Sequence, residues 1–215
     1  MYKLAIFDLD GTLINSIGDI TDSANAVLNK HGDPTFPEEH YRKIVGWGLE
    51  HMVREIVPIE KQSRENIKMY CCEYRDYYRE NWHNRTAPYL GISEILTNLY
   101  EKGVQIAVLS NKRDDFTDLC VKNFFSYIQF VDIRGERPGI PPKPDPCAAI
   151  EIAQKAGVAP SECVFIGDSE IDIQTAINAS MFAVGVLWGY RDKRCLDSAG
   201  ADLTVTAPAE LLALF

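Results

Sequence analysis

The sequence predicts an α/β protein: a doubly wound parallel sheet interrupted by one inserted all-helical segment. Three observations predict it. The chain opens on a short buried strand, LAIFDLDGT at residues 4–12, that ends in two carboxylates. Residues from about 16 to 82 then show only helical spacing of apolar positions, with no strand pattern. From Pro88 onward, buried strands alternate with helices. Repeated βα units of this length imply a parallel sheet covered on both faces, and right-handed crossovers place the ligand crevice at the carboxyl ends of the strands. The division expected is a Rossmann-like core of residues 1–15 and 84–215, with a helical domain of residues 16–83 inserted between.

Each element has its own justification. LINSIGDI, polar and Gly-bearing, reads as a loop or flap after the first strand. Ile20, Ala24, Val27 and Leu28 recur at helical spacing, and Gly32 and Pro34 end that helix. Glu38–Ile44 and Leu49–Val57 read as short helices flanking Gly46-Trp47-Gly48. Ser63 opens a longer helix whose Ile67, Tyr70, Cys71, Tyr74, Tyr77, Tyr78 and Trp82 repeat at three or four, the spacing of a core-facing stripe. Helices are expected at Ile92–Lys102, Asp114–Asn123, Pro146–Ala156, Glu170–Ala179, Arg191–Ser198 and Ala209–Leu214. Strands are expected at 104–110, Ile128–Val131, 163–168, Phe182–Leu187 and, at the edge, Asp202–Val205.

Composition excludes some partners. A net charge of −9 argues against nucleic acid and anionic membrane, which require a concentrated basic surface. No apolar run approaches the roughly 20 residues of a membrane span, and the start is too short and polar for a signal peptide. The six cysteines form no CxxC pair, so buried reduced thiols and a cytoplasmic location are expected. The four histidines have no ligand spacing, which argues against zinc.

The chemistry gathers at the strand ends. Asp8 and Asp10, two apart, leave the first strand on one side, roughly 6–7 Å apart at the backbone. Alone, this is a strand end and an Asp-Gly turn. The other strands, however, end in Ser110-Asn111-Lys112 and in Gly167-Asp168-Ser169, with Asp172 one turn further on, and Lys143 closes a Pro-rich loop. Carboxylates, a hydroxyl, a lysine and helix N-terminal amides on one edge suit Mg²⁺ together with a phosphate.

These four clusters, DLDGT at 8–12, Ser110-Asn111, Lys143 before PDP, and GDSEID at 167–172, resemble in order and spacing the motifs of the haloacid dehalogenase-like phosphohydrolases. Within that superfamily the chain is similar to helical-cap phosphatases of the phosphoglycolate phosphatase kind, on GWGLEHMV, LSNK and KPDP. The resemblance implies that Asp8 is the nucleophile and Asp10 the acid and then the base. It implies that Asp8, the Asp10 backbone carbonyl and Asp168 hold Mg²⁺, supported by Asp172. Ser110, Lys143 and the amides of Leu9 and Asn111 would meet the phosphoryl group, with Gly11 and Thr12 shaping the turn. It further implies that residues 16–83 close over the site, hinging near Gly18 and Gly91. Trp47, Arg42 and Lys43 are candidate substrate contacts there, though each also fits a packing or solvated role. The expected substrate is a small phosphorylated metabolite, with 2-phosphoglycolate first, handled by a monomer or homodimer. A β-phosphoglucomutase-like phosphomutase, a pyrophosphatase and a non-catalytic phosphate binder are the alternatives.

Overall fold

The computed structural model describes residues 1–215. Strand β1 (Leu4–Phe7) is wholly buried, as a central strand covered on both faces must be. The chain turns at once through a short β2 (Ile14–Asn15) into helices α1 (Ile17–Lys30), α2 (Glu38–Ile44), α3 (Leu49–Ile56) and α4 (Arg64–Asn81). Helix α4 starts where the sequence says: the Ser63 hydroxyl accepts from the Asn66 amide at 3.2 Å, a cap of the kind that stabilises a helix by about 1 kcal/mol. The chain returns through β3 (Ala87–Pro88), which pairs antiparallel with β2, Ile14 facing Pro88 and Asn15 facing Ala87. Then follow α5 (Ile92–Glu101), β4 (Gln105–Arg113), α6 (Asp114–Phe125), β5 (Asp132–Glu136), α7 (Cys147–Ala156), β6 (Cys163–Gly167), α8 (Glu170–Asn178), β7 (Phe182–Val186), α9 (Lys193–Ala199) and β8 (Leu203–Val205). The chain finishes in a 3₁₀ turn, Pro208–Leu214, rather than an α-helix.

The six-stranded sheet is parallel throughout, in the order β5-β4-β1-β6-β7-β8. Alternation along β1 divides the core. Ala5 and Phe7 join the cluster that includes α5 and α6, while Leu4 and Ile6 join the one built on α7, α8 and α9. The sheet is therefore doubly wound. Chain order runs outward from β1 on one side and from β6 on the other, so β1 and β6 flank the switch point. Their register sets Phe7 beside Ile166, which delivers Asp8 and Asp168 to the same place.

The inserted helices pack on each other and on the sheet. Tyr41, Met52, Val53, Ile67, Tyr70, Tyr74 and Tyr78 belong to the same buried cluster as Phe7 and Val108. The crossing between insertion and sheet is pinned by Asp19, buried in the first turn of α1. Its carboxylate accepts from the amides of Arg85 and Thr86 and from the Thr86 hydroxyl at 2.6–3.0 Å. No helix is long and apolar enough to cross a membrane.

Three expectations are corrected. The third strand lies at Asp132–Glu136, not at 128–131. It is an edge strand of polar sequence, DIRGE, in which Arg134 bridges Asp132 and Glu151, so it carries no apolar signal. The apolar Ile128 is used instead to seal the turn after α6. The LINSIGDI stretch, read as a loop or flap leading into a helix, is β2 and the start of α1: Leu13, Ile14 and Ile17 are buried, and the amides of Leu13 and Ile14 fold back on the Leu9 carbonyl. The cysteines are all free, yet Cys72 and Cys147 are exposed.

Candidate active site

The site grows from the ends of β1, β4 and β6. After Phe7 the chain leaves the sheet, and the amides of Leu9 and Asp10 donate to no acceptor in the protein, while the Leu9 carbonyl receives the amides of Thr12, Leu13 and Ile14. Two amides next to Asp8 in the chain are thus left for another acceptor, an anion-seeking arrangement. The Leu9 side chain is buried in the core, so only its backbone is offered.

Lys143 reaches into the same place from the loop before α7. Its ammonium donates to Asp8 at 2.8 Å and to Asp172 at 2.6 Å, and its side chain is buried. Burial alone would lower its pKa, but Asp172 and Asp8 outweigh that and raise it, so it is a fixed cation. Asn111 holds this loop: its amide accepts from the Lys143 backbone N–H at 2.8 Å and donates to the Lys143 carbonyl at 3.0 Å and to the Gly46 carbonyl at 2.9 Å. The Asn111 side chain is thus a clamp joining two loops, one of them from the insertion. Ser110 is buried at a bulge in β4, its hydroxyl accepting from the Lys112 amide.

The acidic side of the crevice is built around Asp168. Asp8, Asp168 and Asp172 are all buried, with carboxylate oxygens within 4.8 Å of one another. Asp172 is already satisfied, by Lys143 and by the amide and hydroxyl of Ser169, whose capping of α8 it completes. Asp168 is not. Its Oδ2 accepts from the Tyr190 amide at 2.7 Å, but its Oδ1 has only a long contact of 3.4 Å from Thr12. Burial pushes the Asp8 carboxyl up to about 7, against the pull of Lys143 and with the repulsion of Asp172. Burial and the charges of Asp172 and Asp8 hold Asp168 well above the usual carboxylate range. A pocket of oxygen donors with one lysine among three carboxylates is short of positive charge, which fits a hard divalent cation.

Close packing makes this possible. A side chain at Gly11 (φ +91°) would collide with the Asp168 carboxylate, and one at Gly189 would land on Asp168 and on the Gly11 carbonyl. Only glycine lets these backbones approach.

Asp10 faces different partners. Its carboxylate accepts from Ser16 at 2.5 Å and from Lys112 at 3.1 Å on both oxygens, and it stands outside the cluster of Asp8, Asp168 and Asp172. Lys112 in turn donates to the Tyr78 hydroxyl of α4 at 2.7 Å. Ser16, Tyr190 and Gly189 escaped the sequence reading, while Lys112 was read only as a strand-end residue and Tyr78 only as a core-facing helix position. Lys112 had a signal, following Ser110 and Asn111 directly, whereas the aromatic and glycine positions gain meaning only from packing.

A cavity of about 80 Å³ opens between Asp8, Asp10, Ser110, Asn111, Lys112 and Lys143 and a wall of Ile20, Val45, Leu49, Met52, Tyr74, Tyr78 and Phe116. That is far below the 300–1,000 Å³ of drug-sized sites, a size that suits a small substrate. Trp47, expected as a contact, does not line it: its side chain is 43% exposed and stands beside His51. Its neighbours Gly46 and Gly48 line the cavity instead. Arg42 and Lys43 contribute carbonyls instead, which accept from Arg191, as does Val45.

Fold and site together define an α/β protein whose polar machinery lies at the carboxyl edge of a parallel sheet under a helical insertion. Residues 5–186 match the haloacid dehalogenase-like hydrolase family, and the chain belongs to that family as a phosphatase-type enzyme. It is 32% identical over 212 residues to a phosphoglycolate phosphatase of Pseudomonas putida, covering 94% of this chain and 76% of the relative. It is 31% identical to that of Chromobacterium violaceum, covering 97% and 94%. The crystal structure of a putative phosphoglycolate phosphatase from Lactobacillus delbrueckii superposes with a TM-score of 0.89 at 31% identity, covering 98% of this chain and 96% of that one.

Proposed function

We propose that this chain is a Mg²⁺-dependent phosphomonoesterase that works through an aspartyl-phosphate on Asp8, with 2-phosphoglycolate as its substrate. The observation that carries the reading is the division of labour at the end of β1. Asp8 lies beside Lys143 and Asp168, while Asp10, two residues on, faces Ser16 and Lys112. The substrate follows from the relatives' names and from the size of the cavity.

In the first half-reaction an Asp8 oxygen bonds to phosphorus as the bond to the ester oxygen breaks, and the departing alkoxide takes a proton from Asp10. In the second, Asp10 takes a proton from water. The water oxygen bonds to phosphorus while the Asp8–phosphorus bond breaks, which releases orthophosphate and restores both residues. Ser110, the Leu9 and Asn111 amides and Lys143 hold the phosphoryl oxygens and offset their charge. Asp8, Asp168 and the Asp10 carbonyl would hold the metal, with Asp172 in support through Lys143. Bound there, Mg²⁺ supplies charge neutralisation between nucleophile and phosphate.

Residues 16–83 act as a cap in this account, swinging on the paired strands β2 and β3 to exclude water. The enzyme works in the cytoplasm as a monomer or homodimer, without nucleic acid or membrane. Phosphate release from a panel of esters, sugar phosphates and pyrophosphate, with and without Mg²⁺, tests the proposal. Turnover of 2-phosphoglycolate that stops on chelation is expected, and failure to turn over any member would sink it.

A further inference from the structure

Lys112 is the cation in the cavity that the reaction above leaves without a task. Three cationic side chains line the cavity, and they are not equivalent. Lys143 is committed to Asp8 and Asp172. Arg113 turns its guanidinium to Asp115, at 2.9 and 2.8 Å. Lys112 extends from the end of β4 to the far side of Asp10, where its side chain is only 8% exposed. Its ammonium lies over the Tyr78 ring, 4.5 Å from the centroid, and donates to the hydroxyl of the same residue.

The surroundings fit a recognition site. An ammonium is a compact charge with three N–H donors; here they meet both Asp10 oxygens and the Tyr78 hydroxyl, so a substrate anion would share the ammonium with Asp10. The Tyr78 hydroxyl accepts from Lys112, and its own proton has no acceptor in the protein. Two donors therefore converge beside the wall formed by Tyr74, Met52 and Phe116. Beyond Lys112 and its partner Asp10 the crevice is acidic, with Asp8, Asp168 and Asp172 close together, and a second negative group on a substrate would be repelled without a local cation.

We propose that Lys112, with the Tyr78 hydroxyl, binds an anionic group on the leaving-group side of the substrate and so selects small phosphate esters that carry a carboxylate. This rests on the phosphomonoesterase reading of the site. The phosphoryl group lies toward Asp8 and Lys143, and the carboxylate lies toward α4, within reach of both donors. Because Tyr78 belongs to the insertion and Lys112 to the sheet, the anion is gripped from both sides only when the two are packed together.

The test compares 2-phosphoglycolate with 2-hydroxyethyl phosphate, in which a neutral hydroxymethyl group replaces the carboxylate. Steady-state kcat/KM is measured for both esters with wild type, Lys112→Met and Tyr78→Phe. Lys112→Met disturbs Asp10 and slows both esters, but the ratio favouring the carboxylate ester should fall by roughly 10- to 100-fold, the worth of a charge-assisted hydrogen bond. Tyr78→Phe, which keeps the ring and removes one donor, should lower the same ratio by about threefold to tenfold. If either folded variant slows both esters in parallel, Lys112 merely positions Asp10 and the inference is overturned. If Lys112→Met does not fold, an unchanged ratio in Tyr78→Phe overturns it equally. Wild type that hydrolyses neither ester contradicts the phosphomonoesterase reading instead, so the two failures are distinct.

Discussion

The carboxyl edge of the sheet and the helical layer above it enclose the same cavity by different means. At the edge the polar side chains are held by hydrogen bonds to backbone and to one another. Asp168 is fixed by the Tyr190 amide, Asp172 by Ser169, and the Lys143 loop by a pair of hydrogen bonds to Asn111. The helical layer offers Ile20, Leu49, Met52 and Tyr74 as apolar surface, with the Tyr78 hydroxyl as its polar contribution. One side is built so that reacting atoms cannot drift, as in-line phosphoryl transfer demands. The other is a shape that different side chains could alter without disturbing the chemistry.

If that contrast is right, substitutions at the edge should damage rate, and those on the outer helical surface should do little. Asp8→Asn should lower phosphate release by roughly 10⁴-fold or more, with an unchanged circular dichroism spectrum. Near-normal turnover would remove Asp8 as nucleophile. Gly189→Ala, remote in sequence from the other motifs, should cost about 10- to 100-fold and raise the Mg²⁺ concentration needed for half-maximal activity, since the new methyl displaces Asp168. Unaltered metal dependence would show that Asp168 need not stay where it is.

Acidity should separate the regions too. Burial pushes the Asp8 carboxyl up to about 7, above an unfolded carboxyl near 4. Between these values the native state binds more protons, so stability should fall as pH rises from about 4 to 7 and level off above. Mg²⁺ should therefore raise Tm by more at pH 8 than at pH 5.5, because protons compete for the same oxygens. An equal rise at both would mean that the cation binds elsewhere. Trp47→Ala, on the exposed side of the helical layer, should change kcat/KM by less than about twofold. A larger loss would mean that the indole swings inward during turnover.

The same contrast explains what could be read from residues alone. Asp8, Ser110, Lys143 and Asp168 were legible because a parallel sheet sends every strand end to one edge, so linear order becomes spatial convergence. The edge strand at Asp132–Glu136 was not, since its charges are paired by tertiary contacts that hide its period. The place of Trp47 outside the cavity was not legible, because the spacing of a loop does not say which way its side chains face. Tyr78 was legible as a buried helical position, but not as a partner of Lys112, which depends on how α4 lies across β4.

The central claim is a covalent phosphate on Asp8 whose removal depends on Asp10. Asp10→Asn, mixed with 2-phosphoglycolate and Mg²⁺, quenched in acid and analysed by peptide mass spectrometry, tests it directly. The account predicts phosphate on the peptide containing Asp8 and its absence in the Asp8→Asn, Asp10→Asn double variant. Orthophosphate released with no phosphopeptide at any quench time, or phosphate on another residue, would contradict it.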